Sequence, residues 1–209
     1  MKHPLNTFHY CPQCGASPFI VNNGKSKRCN RCGFVYYFNS SAAVVAVIEN
    51  GNGEILVARR AKDPAQGTLD LPGGFVDMHE TAEEAVCREV QEETNVRVSS
   101  LHYLFSVPNI YVYSGFEVHT VDMFFRCEVT DFKELKAQDD VSELQFTAPE
   151  RLNPADFGLS SIRKGIEKLL LIVINEKRTK TKSESQTFVN HDNEQTYKKE
   201  PSETSGKIV

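Results

Sequence analysis

The sequence predicts an α+β chain in which a small metal-stapled module precedes a larger domain of mixed strands and two helices. Three observations lead there: two CxxC pairs near the start, short apolar strands set between turns, and a capped helix carrying three glutamates on one face. A length of 209 residues suits one main domain plus a small module. The net charge of −4 exerts no overall pull toward nucleic acid or an anionic membrane.

The module comes first. Cys11-Pro-Gln-Cys14-Gly and Cys29-Asn-Arg-Cys32-Gly are two knuckles with fourteen residues between them. Four thiolates at this spacing can close a tetrahedral site around Zn2+, whereas a redox pair needs one CxxC alone. A segment of this size cannot build an adequate core, so zinc binding supplies its folding energy. Four protein ligands leave no open position for a substrate, which makes the expected role structural. Cys87 and Cys127 fall on a helix and a strand and are read as packing thiols. Lys25, Lys27, Arg28 and Arg31 are read as a solvated set that balances the thiolate charge, with contact to phosphate or RNA as the alternative.

Residues Ala42 to Ile48 read as a buried strand and Ile55 to Ala58 as its neighbour, joined by a hairpin turn at Asn50-Gly51-Asn52-Gly53. Leu71 to Val76 reads as a strand end turning through two glycines, which let backbone approach a ligand closely. His102 to Val107 and Val118 to Val129 are further strands joined around Ser114-Gly115, and Leu144 to Phe146 is another. Ile162, Ile166, Leu169, Leu170 and Val173 trace one face of a helix that starts near Ser160 or Ser161. From residue 179 onward the chain is polar and of mixed charge, and a disordered tail is expected. Apolar runs such as Leu169 to Ile174 are too short to cross a bilayer, and the first residues lack the apolar core of a signal peptide. A cytoplasmic protein with reduced thiols is expected, which also disfavours disulfides.

The first helix carries the chemistry. Thr81 and Glu84 form a capping box at its start, and Asn95 tolerates the left-handed conformation that closes many helices. Glu89, Glu92 and Glu93 sit at i, i+3 and i+4 on the stripe that continues through Ala82, Ala85 and Val86, with Glu84, Arg88 and Gln91 on the solvent side. Like charges at these spacings repel by a few tenths of a kcal/mol per pair, about 0.2–0.5 kcal/mol. Carboxylates extending an apolar face break the usual patterning, and oxygen ligands of this kind suit Mg2+ or Mn2+.

The segment from Gly74 to Val96 resembles the Nudix box, matching it at Gly74, Glu80, Arg88, Glu89, Val90, Glu92, Glu93 and Val96. Asn95 replaces the last glycine of the pattern, and asparagine is the next-best residue for a left-handed helix end. The resemblance implies a Nudix αβα sandwich with a mixed sheet over residues 40–178, preceded by the zinc ribbon at 1–39 and followed by the tail at 179–209. It implies hydrolysis of the pyrophosphate of a nucleoside diphosphate derivative by attack of water on phosphorus. Glu89, Glu92 and Glu93 would be the metal ligands, with the Gly73 carbonyl as an additional one. Arg88 would orient the carboxylates, and Glu80 would either bind metal or pair with Arg88. The general base would come from Asp140 or Glu143 in the later acidic loop, which otherwise reads as a solvated turn. Arg59 and Arg60 face opposite ways on a strand, so at most one would clamp phosphate. Tyr111, Tyr113 and Phe116 would either stack a base or pack within the protein.

A zinc ribbon ahead of such a domain is similar to the NADH pyrophosphatase group, some members of which also remove NAD caps from RNA. The group's Ser-Gln-Pro-Trp-Pro-Phe-Pro signature is absent; the nearest counterpart is Phe105 to Tyr111, in a chain with no tryptophan. The expected substrate is therefore a small nucleotide of the NADH/NAD or ADP-ribose type. Neither membrane nor nucleic acid is expected as a partner, with NAD-capped RNA left open, and pairing as a homodimer is implied by the resemblance alone. The alternative is a non-catalytic nucleotide-sensing module whose ribbon docks protein or nucleic acid.

Overall fold

The computed structural model describes residues 3–193, with the side chains of residues 111, 177, 178 and 180–193 outside that description. Its first element is a small antiparallel sheet of β1 (Phe19–Asn23), β2 (Ser26–Cys29) and β3 (Val35–Tyr37), in that order. The core beneath it is little more than Cys11, Phe19 and Cys29, with Cys14, Ala16 and Phe34 packed against them. That is too little apolar surface to offset ordering entropy unaided.

Two further sheets follow. Strands β4 (Ser41–Ile48), β7 (Gly73–Phe75), β8 (Val98–Tyr113) and β9 (Phe116–Val129) form one sheet in the order β7-β4-β9-β8. Only the β4–β9 pair is parallel, so the sheet is mixed. Strands β5 (Ile55–Arg60), β6 (Leu69–Asp70) and β10 (Val141–Thr147) form the other, in the antiparallel order β10-β5-β6. The turn after β4 forms as expected, with the Asn50 side chain accepting from the backbone N–H groups of Asn52 and Glu54. The hairpin does not. Beyond the single bridge Glu49–Ile55, β4 and β5 part into different sheets. A strand has two edges, and β7 and β9 occupy both edges of β4.

The hairpin of β8 and β9 is longer than the sequence suggests. The expected strand stops at Val107, yet β8 lies at the sheet edge, where a missing N–H need not cost a ladder bond, and Pro108 stays in register opposite Val121. Ser114 and Gly115 both take positive φ, 50° and 73°, as a two-residue turn of the right hand demands.

Helix α1 (Ala82–Thr94) has the expected ends: a complete Thr81–Glu84 capping box and Asn95 at φ 59°, ψ 19°. Its Ala85, Val86 and Val90 pack with Val44, Ala46 and Ile48 of β4 and with Phe125 of β9. The neighbouring Phe124 points to the other face of the sheet, where it meets Gly165 of α2 (Ser160–Asn193). The mixed sheet is thus covered on both faces, as the αβα expectation requires. Ile162 and Ile166 of α2 are buried. The helix runs through residue 179, where a tail is expected, and no glycine or proline interrupts it from Ile166 to Asn193. Residues 194–209 of the expected tail lie outside the described residues. By contacts the chain divides into units Met1–Glu167 and Lys168–Val209, and the sites below lie in the first.

A Cβ added at Gly165 would sit 2.2 Å from the Phe124 ring, which is wholly buried. Gly165→Ala is expected to cost about 1–3 kcal/mol through overpacking, although alanine is the better helix former. Urea unfolding should show a lower midpoint at unchanged slope; an unchanged midpoint would contradict this packing.

Candidate active site

The loop from β7 to α1 and the helix itself bring the sequence-predicted residues together. Gly74 lets the backbone run against Glu89: a Cβ there would lie 2.4 Å from Glu89 Oε1. The Gly73 N–H donates to Glu93 Oε2 at 2.9 Å. Arg88 then ties loop to helix. Its Nε and Nη2 donate to the two oxygens of Glu80, at 2.9 and 3.0 Å. Its Nη1 donates to Glu89 Oε1 at 2.8 Å and to Glu92 Oε2 at 3.0 Å, and Nη2 also reaches the Phe75 carbonyl.

Arg88 is therefore not on the solvent side, as helical spacing alone suggests. Its long side chain folds back over the carboxylates and is only 27% exposed. Of the two readings of Glu80, the geometry has the pairing with Arg88, which holds the Glu80 carboxyl below its ordinary range. Burial raises Glu89, against the opposing pull of Arg88. Glu93 is more extreme: burial pushes it up to about 8, and the Gly73 N–H offsets this only in part.

The bonds above use Oε1 of Glu89 and Oε2 of Glu92 and Glu93, and the second oxygen of each has no hydrogen-bond partner among the described residues. Three carboxylate oxygens without a donor, two of them on groups whose charge is disfavoured by burial, have the chemistry a hard divalent cation takes, although among the described residues only the four thiols converge as one ligand cluster.

Beside Glu93 opens a cavity of about 510 Å3. Gly73, Gly74, Glu93, Arg60, Tyr113 and Asp140 line it, whereas Arg59 and Glu143 do not. The register explains the split. Arg59 pairs with Glu143 on the neighbouring strand at 2.9 Å, while Arg60, one residue on, faces inward and donates to Asp70 and to the Pro64 carbonyl. Asp140 is paired with Lys62 at the rim. The Tyr111 side chain lies outside the described residues. Phe116 packs edge-on against Phe8 and Phe38, so of its two readings it takes internal packing.

Four buried polar residues in the cavity wall escape the sequence reading: Asp70, Asn109, Thr120 and Asp122. Thr120 and Asp122 alternate inward with Phe124, and Asn109 sits opposite Thr120 across the hairpin. Thr120 donates to Asp122, and Ser160 at the start of α2 donates to Asn109. Burial raises the Asp70 carboxyl in spite of Arg60. The available signal is a polar residue on the inward beat of an apolar strand, as in Thr120-Val-Asp122-Met-Phe124.

In the N-terminal module the four thiols converge. Cys11 and Cys32, and Cys14 and Cys29, have their Sγ atoms 3.7 Å apart, and all four lie within 4.8 Å of one another. Zn–S bonds of about 2.3 Å in a tetrahedron give edges of about 3.8 Å, so the cluster fits zinc. The backbone N–H of Cys32 leads in lowering the Cys29 thiol to about 6, toward the thiolate a metal needs. Cys87 and Cys127 sit in the main core as packing thiols.

The NUDIX domain pattern matches residues 39–169. The chain belongs to the Nudix family. Among its relatives, an ADP-ribose pyrophosphatase of Methanocaldococcus jannaschii is 39% identical over 112 residues, covering 53% of this chain and 63% of the relative. An NAD-capped RNA hydrolase, NudC, of Vibrio atlanticus is 29% identical over 149 residues, covering 70% of this chain and 55% of the relative. The matches to NudC proteins and to the pyrophosphatase thus span roughly half the length of those relatives, from 40% to 63%. A Nudix hydrolase structure from Nitrosomonas europaea superposes with TM-score 0.60 at 23% identity, over 78% of this chain and 90% of that one, and shares the fold. Among the described residues no helix is long and apolar enough to cross a membrane.

Two outcomes are expected. Glu93 holds its proton when folded and gives it up in the ordinary carboxylate range when unfolded. Metal-free protein is therefore fully stabilised by this group below that range and loses up to about 1.4 kcal/mol per pH unit as pH rises toward about 8. Thermal melts from pH 5 to 8 in chelator should show a shallower decline for Glu93→Gln; identical slopes would contradict the burial argument. Purified protein should carry zinc at one ion per chain by elemental analysis, and Cys11→Ser should lose it. A folded ribbon without metal would overturn the assignment.

Proposed function

We propose that this chain is a divalent-metal-dependent Nudix pyrophosphohydrolase acting on a nucleoside diphosphate derivative of the ADP-ribose or NAD(H) type. The observation that carries the reading is the trio of Glu89 and Glu92, held by Arg88, and Glu93, held by the Gly73 N–H, each with one oxygen unengaged among the described residues, beside a cavity large enough for a nucleotide. When bound there, Mg2+ or Mn2+ neutralises pyrophosphate charge and lowers the pKa of water. Glu89, Glu92 and Glu93 would hold it, with the Gly73 carbonyl as a further donor; Arg88 with Glu80 fixes the directions of Glu89 and Glu92, and the Gly73 N–H that of Glu93.

The remaining roles follow from which side chains reach the cavity. Arg60 is the one cationic side chain among its lining residues, and it orients the phosphates while its own position is fixed by Asp70 and the Pro64 carbonyl. Asp140 is the general base rather than Glu143, because Glu143 is turned to Arg59 outside the cavity. Tyr113 at the mouth stacks a ring of the substrate. The complete Arg88, Glu89, Glu92 and Glu93 set supports catalysis over a nucleotide sensor, and the names of the relatives support both an ADP-ribose and an NAD-derived substrate.

Assays of ADP-ribose, NADH, NAD+ and NAD-capped RNA with Mg2+ or Mn2+ should find turnover of at least one. Glu92→Gln should lower kcat by more than the roughly 10- to 100-fold that loss of an outer partner costs, with little change in stability, since Glu92 is half exposed. Tight binding of all four with turnover of none would establish the sensor instead.

A further inference from the structure

The charge of this chain is unevenly divided. Residues 1–39 contain five Lys and Arg and no Asp or Glu; the remaining 170 residues are nine charges negative. The first acidic residue is Glu49. Four thiolates around a zinc ion contribute two negative charges, so the loaded ribbon stays positive.

The structure sorts these cations. Lys27 is buried and its ammonium donates to the Phe8 carbonyl, so it holds the ribbon together. Lys25, Arg28 and Arg31 are exposed, and none of their side chains bonds to a described residue. Balancing the thiolates therefore does not account for all four. Beside the cations stand aromatic and apolar side chains that a module of this size would ordinarily hide. Tyr10 is 68% exposed and Tyr37 48%, with Phe8 and Tyr36 stacked on each other and also open to solvent. Register places Ile20, Arg28 and Val35 in one row across the sheet, with Tyr37 two residues along on the same face.

We propose that the zinc ribbon is a docking surface for single-stranded nucleic acid. Cations without partners track a phosphodiester backbone, and exposed aromatic faces stack unpaired bases; the two together suit a flexible single strand. An acidic protein would satisfy the cations and leave the rings without a use. The ribbon adjoins the hairpin: Phe8 and Phe38 pack on Phe116, at the tip of the hairpin whose Tyr113 lines the cavity, while Arg28 and Tyr37 lie on the face opposite the one on which Tyr36 stacks with Phe8. A strand held on the ribbon lies next to the hairpin that walls the nucleotide site. Taken with the proposed function, this makes the 5′ end of an RNA bearing a nucleoside diphosphate linkage a substrate; binding to the ribbon does not itself depend on hydrolysis.

The test uses full-length zinc-loaded protein carrying Glu92→Gln, so that binding is read without turnover. Fluorescence anisotropy with a short oligouridylate should show binding that weakens as salt rises, because counterions are released. A blunt RNA duplex, heparin and phosphatidylserine vesicles should bind at least roughly tenfold more weakly, since none offers unstacked bases. Arg28→Ala with Tyr37→Ala should lower oligouridylate affinity roughly tenfold or more, at unchanged zinc content and melting temperature. In the otherwise wild-type chain the same pair should leave turnover of ADP-ribose or NADH unchanged; that turnover, if absent throughout, counts against the proposed function and leaves the binding result standing. If the double variant loses zinc, Lys25→Glu with Arg31→Glu replaces it, with the same loss expected. Equal affinity for heparin or vesicles and oligouridylate, or variants that bind as wild type, would overturn the proposal.

Discussion

One side chain connects the loop, the helix and the carboxylates of this site. Arg88 spends its guanidinium on Glu80, Glu89, Glu92 and the Phe75 carbonyl. Without it, Glu89 would be a partly buried carboxylate beside two others, and the loop after β7 would keep only the apolar packing of Val76 against α1. With it, the repulsion expected among glutamates at i, i+3 and i+4 is offset by a cation held in a rigid fork. Both ends of Glu80 are fixed by the same fork, which leaves one oxygen of Glu89 and one of Glu92 directed elsewhere. Glu93 lies outside this arrangement and shows what its absence does: burial with one backbone donor raises its pKa to about 8.

The sheets supply the other half of the site. Because β4 gives both its edges to β7 and β9, the Gly73–Gly74 segment is held beside the central strand, and β5 is released to carry Arg60 toward the cavity from the second sheet. The β8–β9 register places Asn109 against Thr120 and turns Asp122 inward, so the cavity wall is polar where the same strands elsewhere are apolar. Helices cover the mixed sheet on both faces, with Gly165 letting α2 approach Phe124.

Local patterns made much of this legible in advance. Thr81, Glu84 and Asn95 mark the ends of α1 through chemistry confined to a few neighbouring residues, and the two CxxC knuckles announce a four-thiol cluster in the same way. What was not legible is set by partners distant in sequence. The divergence of β4 from β5 depends on β9, some eighty residues on, and the extension of β8 across Pro108 depends on its place at a sheet edge. Arg88 is assigned to the wrong side by helical periodicity, because a wheel fixes where a Cβ points and not where a long side chain ends. Asn109, Thr120 and Asp122 go unnoticed because their significance appears only when two strands bring them to one wall. Of the adjacent arginines, spacing shows that one faces the site, and the pairing of Arg59 with Glu143 decides that it is Arg60.

The central claim is that the Arg88 fork sets the directions of Glu89 and Glu92, two of the three glutamates proposed to hold a divalent cation. Titration of Mn2+ into the Arg88→Lys variant, followed by the electron paramagnetic resonance signal of the free ion, tests it most directly. Lysine keeps the charge and loses the fork. Affinity should fall roughly 10- to 100-fold while far-ultraviolet circular dichroism shows the helices intact. Mn2+ affinity equal to that of the unaltered chain would contradict the account.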